Sequence, residues 1–190
     1  MPSIRMATAS DGAAVSAVYA PHVSEAVTSF ELEPPGPAEM TARIEQVLRW
    51  APWLVCEDGG RVIGYAYASR HRDRAAYQWS VDVGIYIDSQ HHRRGVGRAL
   101  YHVLFDLLRL QGFYAAHAGI TLPNAASVGL HERLGFRPVG IYPAVGWKMG
   151  RWCDVGWWQL PLQERPPVPA PPLPPDAAAQ LPAWSAALGS

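Results

Sequence analysis

Residues 84–100 read Gly84-Ile85-Tyr86-Ile87-Asp88-Ser89-Gln90-His91-His92-Arg93-Arg94-Gly95-Val96-Gly97-Arg98-Ala99-Leu100. Ile85, Tyr86 and Ile87 close an apolar strand. The turn Arg93-Arg94-Gly95-Val96-Gly97 then opens a helix whose apolar residues, Val96, Leu100, Val103, Leu104, Leu107 and Leu108, recur at helical spacing. The first N–H groups of a helix have no internal partner and lie at the positive end of its dipole. Glycines there let an anion approach the backbone, and Arg93, Arg94 and Arg98 add charge, so the junction reads as a pyrophosphate site. Two familiar phosphate turns are excluded by spacing: no third glycine completes a dinucleotide fingerprint, and no Gly-Lys-Ser/Thr follows for a nucleoside triphosphate. The competing reading is an ordinary helix start with solvated arginines.

Upstream of the turn, Val81, Val83, Ile85 and Ile87 alternate with Asp82, Gly84 and Tyr86, and the alternation extends back to Tyr77 and Trp79. One face is core, and Asp82 lies on the other. Gly84 in mid-strand invites a bulge or a close approach. Trp53–Glu57 and Arg61–Ser69 read as strands around Asp58-Gly59-Gly60, a strong hairpin signal. A strand at Ile4–Ala7 precedes a helix capped at Ser10 or Asp11 and striped by Val15, Val18, Tyr19 and Val23. Residues 27–31 read as extended. A second helix, with Pro37 in its first turn, carries Met40, Ile44, Val47 and Leu48 on one face. Downstream, Gly112 stops the long helix, Ala115–Thr121 is a strand, Asn124 caps a helix ending at Gly135, and strands follow at Arg137–Ile141 and within Val145–Leu162. Alternating helices and strands give an α/β (α+β) layer around a mixed sheet.

The chain has 190 residues with 16 basic and 16 acidic side chains, which suits one domain and provides no global field for nucleic acid or a membrane surface. No apolar run approaches the roughly 18 residues of a membrane span, and MPSIRMATASD lacks a signal peptide's layout, so the chain reads as cytoplasmic. Cys56 and Cys153 are far apart, without CxxC or histidines at metal spacing; they read as buried thiols, with no metal site. Seven of the ten residues Pro166–Pro175 are proline, followed by an alanine-rich end. Residues 164–190 therefore read as a disordered or polyproline tail behind a domain at 1–163.

His92-Arg93-Arg94-Gly95-Val96-Gly97 resembles the acetyl-CoA turn of the GNAT N-acetyltransferase superfamily, usually Arg/Gln-x-x-Gly-x-Gly/Ala, with His in the first position. The likeness widens along the chain through Pro52-Trp53-Leu54-Val55, Gly64-Tyr65-Ala66-Tyr67-Ala68, Ala76-Tyr77-Gln78-Trp79, Gln111-Gly112-Phe113, Leu122-Pro123-Asn124, His131-Glu132-Arg133-Leu134-Gly135-Phe136 and Trp152 to Leu160. In this order these stretches resemble the phosphinothricin acetyltransferase branch over Ile4 to Leu162, the tail falling outside. The resemblance implies a GNAT fold, acetyl-CoA as donor without a metal, an amine acceptor and usually a homodimer.

Such chemistry makes four demands. An α-amino group with a reference pKa of about 8 is mostly ammonium at neutral pH and must lose a proton before it attacks a thioester. Asp82 is the candidate base, directly or through a water, where family members commonly have Glu. The oxyanion needs an N–H, which the resemblance places near Tyr86 or Ile87, with Ile85 on the same strand. The departing thiolate needs a proton, for which His131 stands where many members carry Tyr. Asn124 and Ser127 are candidate contacts to the pantetheine arm, although capping explains Asn124 equally well. Arg72 and Arg74 are candidate clamps for an anionic acceptor, with Tyr77 and Phe30 as further pocket residues.

The expectation is an acetyl-CoA-dependent N-acetyltransferase acting by direct attack on the α-amine of phosphinothricin, methionine sulfoximine or a related glutamate analogue. The alternatives are a GNAT acting on another primary amine (a peptide N-terminus, an aminoglycoside), a non-catalytic acyl-CoA-binding module, or a scaffold acting through its proline tail.

Overall fold

A computed structural model describes residues 2–189. Seven strands form one sheet in the order β1-β2-β3-β4-β5-β7-β6: β1 (Ser3–Met6), β2 (Trp53–Asp58), β3 (Arg61–Arg70), β4 (Ser80–Ile87), β5 (Ala115–Leu122), β6 (Arg137–Lys148) and β7 (Arg151–Pro161). Every neighbouring pair is antiparallel except β4 and β5. Helices α1 (Gly12–Ser24) and α2 (Pro37–Leu48) cover one face, and α3 (Val96–Gln111) covers the other.

Alternation along the strands assigns the two cores. Val81, Val83, Ala116, Ala118 and Ile120 join Leu100, Leu104, Leu107 and Leu108 of α3, while Val55, Tyr65 and Trp53 join Val15, Tyr19, Met40 and Ile44 of α1 and α2. The hairpin at Asp58–Arg61 forms as read, with Gly59 and Gly60 both at positive φ, the condition of a two-residue type I′ turn. Gly112 is left-handed (φ 91°) and ends α3.

Three expectations are corrected. Tyr77–Trp79 does not open β4: Ala75–Tyr77 is a 3₁₀ turn, and the strand starts at Ser80. Residues 27–29 form bends and 30–31 pair with no strand, because Tyr19 and Lys148 fix the segment by side chain; the Tyr19 hydroxyl bonds Ser29 and Glu31, and Lys148 Nζ donates to the Ser29 carbonyl at 2.6 Å. The third correction concerns the tail. Leu173 N–H donates to the Gln111 carbonyl at 2.7 Å, Gln111 Nε2 returns a bond to the Leu173 carbonyl, and the Trp79 indole donates to the Ala170 carbonyl. The short helices α5 (Pro175–Ala178) and α6 (Pro182–Leu188) then lay Ala178 and Trp184, the latter 5% exposed, into the core beside α3. Prolines lead into both helices, where a missing N–H costs nothing, and the alanines present a small apolar face. A proline-rich composition did not prevent packing because the apolar anchors lie beyond it.

Candidate active site

β4 and β5 pair only at Ser80–Ala115, Val81–Ala116 and Asp82–His117, although β4 runs on to Ile87 and β5 to Leu122. Beyond Asp82 the two strands share no paired residue. The Asp88 N–H donates to the Ile63 carbonyl on β3, and antiparallel alternation therefore turns the N–H of Tyr86 toward β3 and those of Ile85 and Ile87 toward the opening. Of the two residues expected near an oxyanion, Ile87 presents the available donor. The side chains of Ile85 and Ile87 pack on the core, so what they offer the opening is backbone.

The glycine turn stands at the mouth of this opening. Gly95 is the N-cap of α3 at φ 83°, Arg93 is also left-handed at φ 59°, and the first helical bond runs from the Ala99 N–H to the Gly95 carbonyl. The N–H groups of Val96, Gly97 and Arg98 are thus left for an anion. A Cβ on Gly95 would meet nothing within 4 Å, so the space before the turn is open. On Gly97 it would stand 3.0 Å from Ile87 and 3.3 Å from Leu130, so this glycine seats the helix against the strand end. Val96 turns its side chain into the core and offers only its N–H, whereas Arg93, Arg94 and Arg98 are exposed around it. His92, which occupies the variant first position, places Nε2 3.0 Å from the Ile87 carbonyl, and His22 of α1 approaches the same oxygen at 3.2 Å. These residues fit a pyrophosphate and an extended pantetheine arm.

Asp82 lies at the closed end of the opening. Its Oδ1 is 2.6 Å from His71 Nδ1, and the His71 ring stacks on His117 at 4.2 Å with planes 18° apart. Burial pushes the Asp82 carboxyl above the usual carboxylate range, opposed by the hydrogen bond from His71 and by the charges of His71 and Arg72. The donor atoms of His71, Asp82 and His117 lie within 4.8 Å of one another. Sequence spacing gave no sign of this grouping, since the three residues come from the end of β3, from β4 and from β5. Gly84 carries no bulge; the close approach there is by the Tyr67 ring, 2.6 Å from where a Cβ would stand.

Helix α4 (Ala125–Arg133) borders the other lip. Asn124 caps it as expected, its Oδ1 accepting from the Ser127 N–H at 3.0 Å. His131, the expected proton donor, is enclosed. It is 3% exposed, Nδ1 lies 2.8 Å from the Ser127 carbonyl, Nε2 lies 3.1 Å from the Tyr101 hydroxyl, and Phe136 meets the ring edge-on. Nδ1–H therefore donates to the helix backbone and Nε2 accepts from tyrosine, and burial holds the imidazole neutral. In this geometry His131 is a satisfied core residue with no proton directed at the opening.

The chain matches the family described as acetyltransferase (GNAT) domain over residues 4–157. It belongs to the GNAT acetyltransferases. It is 41% identical to a phosphinothricin N-acetyltransferase of Streptomyces viridochromogenes over 171 residues, covering 90% of this chain and 91% of that one. It is 35% identical to an L-methionine sulfoximine/L-methionine sulfone acetyltransferase of Salmonella typhimurium, covering 85% and 95%. Among solved structures it resembles a GNAT superfamily phosphinothricin acetyltransferase of Sinorhizobium meliloti in complex with AcCoA, with TM-score 0.84, 35% identity and coverage of 89% and 93%.

The remaining candidates of this GNAT chain fall in two places. Phe30 sits over Gly146 of β6, whose Cβ position its ring occupies at 2.3 Å. Beside the connection between α1 and α2, a cavity of about 350 Å³ is lined by Thr28, Thr121, Asn124, Met149 and Arg151. Arg72 and Tyr77 instead line a second hollow of about 230 Å³ with Trp50, Phe113 and Leu173, although Tyr77 also meets His71 edge-on at 6.0 Å. Arg74 is exposed before the 3₁₀ turn. Sequence reasoning missed His71, His117 and Arg151. A histidine directly after a strand that pairs with the Asp82 strand was the only available signal, and using it required the register.

Proposed function

We propose that this GNAT enzyme transfers the acetyl group of acetyl-CoA to the α-amine of a small amino-acid-like acceptor, phosphinothricin, methionine sulfoximine or a related glutamate analogue. The observation that carries the reading is the opening between β4 and β5, with the glycine turn at its mouth and Asp82 at its closed end. The backbone N–H groups from Val96 to Arg98, which have no partner within the helix, hold the pyrophosphate with Arg93, Arg94 and Arg98; Ile85 and Ile87 pair with the pantetheine arm, helped by Asn124 and Ser127. A backbone N–H of β4 that faces the opening receives the charge that develops on the thioester oxygen. Asp82 governs loss of the ammonium proton, and the amine attacks the carbonyl carbon directly.

Direct attack agrees with the cysteines: Cys56 and Cys153 are both buried, and burial raises the Cys56 thiol, so neither is a ready nucleophile. With His131 enclosed, the thiolate takes its proton from the amine being acylated or from solvent. Arg72, whose charge opposes the rise of the Asp82 carboxyl, and Arg74 are our first candidates for the acceptor's carboxylate, with Arg151, Phe30 and Tyr77 completing its surroundings. The reading includes a homodimer through β6, supported by a row of exposed apolar side chains, including Ile141, Val145, Trp147 and Trp152, on the edge hairpin of the sheet. A cytoplasmic location is part of this reading, and no helix among the described residues is long and apolar enough to cross a membrane.

Initial rates of thiol release from acetyl-CoA test this across phosphinothricin, methionine sulfoximine, glutamate, an aminoglycoside and a short peptide. The reading expects turnover to concentrate on the glutamate analogues. Preference for the peptide or the aminoglycoside would overturn the acceptor class, and no release on any amine would overturn catalysis.

A further inference from the structure

We propose that His71 is the residue that takes the proton from the acceptor ammonium, and that Asp82 is a positioning residue that orients the imidazole and stabilises its cation. This deepens the function just given and rests on it. An ionised carboxylate only accepts hydrogen bonds, so the 2.6 Å contact between His71 Nδ1 and Asp82 Oδ1 fixes the proton on Nδ1 and leaves the lone pair on Nε2. No described residue bonds that Nε2, and it is not among the buried polar atoms without a partner, so it reaches solvent. The ring itself is held. His117 stacks beneath it, Tyr77 meets it edge-on at 6.0 Å and Trp157 edge-on at 6.2 Å. His117 is fixed in turn, its Nδ1 lying 3.3 Å from the Val81 carbonyl. Asp82 and His117 form the last pair before β4 and β5 part, which puts the imidazole at the closed end of the opening where an amine meets the thioester.

Proton affinity favours the same assignment. Drawing a proton from an α-ammonium of pKa about 8 is disfavoured by roughly 10⁴ for a carboxylate at its ordinary pKa of about 3.9, but by only about 30-fold for an imidazole near 6.5. Burial of Asp82 narrows that gap.

The step balances as follows. His71 Nε2 takes one proton from the acceptor's ammonium and becomes an imidazolium facing the Asp82 carboxylate. The freed amine forms the N–C bond, the carbonyl π pair moves to oxygen, and its return expels the CoA thiolate. The second proton on nitrogen goes to that thiolate, giving the amide and CoA thiol, and the imidazolium releases its proton to solvent. The charged or titratable groups facing His71 are Asp82 from β4, His117 from β5, Tyr77 from the 3₁₀ turn and Arg72 beside it; Arg165 acts on His117.

His71→Gln and Asp82→Asn, compared with wild type over pH 5–9, test the assignment on the best acceptor of the panel. His71→Gln is expected to lower kcat roughly 10²-fold or more with acceptor KM little changed. It should also remove the acidic limb of the kcat profile, and added imidazole should restore part of the rate. Asp82→Asn is expected to lower kcat while keeping an acidic limb, because the imidazole is still present. Acetyl-CoA affinity within about threefold of wild type certifies the fold of each variant. A His71→Gln enzyme with kcat within threefold of wild type, or with the acidic limb unmoved, overturns the proposal. Activity lost on dialysis against a chelator and restored by a divalent cation also overturns it, since the cluster would then hold a metal. A wild type inactive on every amine sinks the parent reading and this one together, whereas an active wild type with an indifferent His71→Gln sinks this one alone.

Discussion

Asp82 and His131 were the two titratable residues that the sequence offered for chemistry, and the fold separates their fates. Asp82 remains at the opening with His71 on its oxygen, while His131 is enclosed by Tyr101, Ser127 and Phe136. Period-2 alternation revealed the face of Asp82. No periodicity reveals that a helix histidine bonds its own backbone four residues earlier, so these partners of His131 were not legible in the sequence. Because burial lowers the His131 pKa, the sign of its effect on folding is set: the contribution is full above the unfolded value of about 6.5 and is lost as pH falls through the folded value. Replacing His131 by Phe removes that dependence. Urea unfolding at pH 7 and pH 5 should show the stability difference between wild type and His131→Phe shifting in favour of the variant at pH 5; a constant difference would mean that the imidazole titrates freely in the fold.

At the scale of elements, the strand–turn–helix junction was legible because each part has a local cause: alternation for β4, positive φ at Gly95, helical spacing for α3. The parting of β4 from β5 was not, since it depends on which residues pair across a parallel register. Gly95 carries the clearest test. A side chain at φ 83° costs roughly 1–2 kcal/mol and would project into the open space before the turn. Gly95→Val should therefore weaken acetyl-CoA binding about tenfold or more, as measured by calorimetry, with kcat at saturating donor much less affected. Unchanged affinity would remove the turn from the donor site. The β6–β7 hairpin was read as two separate pieces because bulges between Pro138 and Gly140 and between Tyr142 and Gly146 interrupt its alternation, yet it is continuous through the turn at Met149 and Gly150, both at positive φ.

At the scale of the whole molecule, composition misjudged the described part of the tail, in which Ala170, Leu173, Ala178 and Trp184 pack on the domain. Proline content describes what a segment does alone, whereas Trp184 and Ala178 are held by the surface of α3 that they cover. Trp184→Ala should cost about 3–5 kcal/mol in chemical denaturation, and removal of residues 166–190 should cost at least as much; a tail deletion that unfolds at the wild-type midpoint would show the contacts to be dispensable. The sheet, its two cores and the site converge on one claim, direct acetyl transfer to an α-amine at the end of β4. Mass spectrometry of a reaction containing labelled acetyl-CoA and methionine sulfoximine tests it most directly. The account predicts one labelled acetyl group on the α-nitrogen of the acceptor, free CoA in equal amount, and protein of unchanged mass at every time point. Label retained on the protein before product appears, or CoA released with no acetylated acceptor, would contradict it.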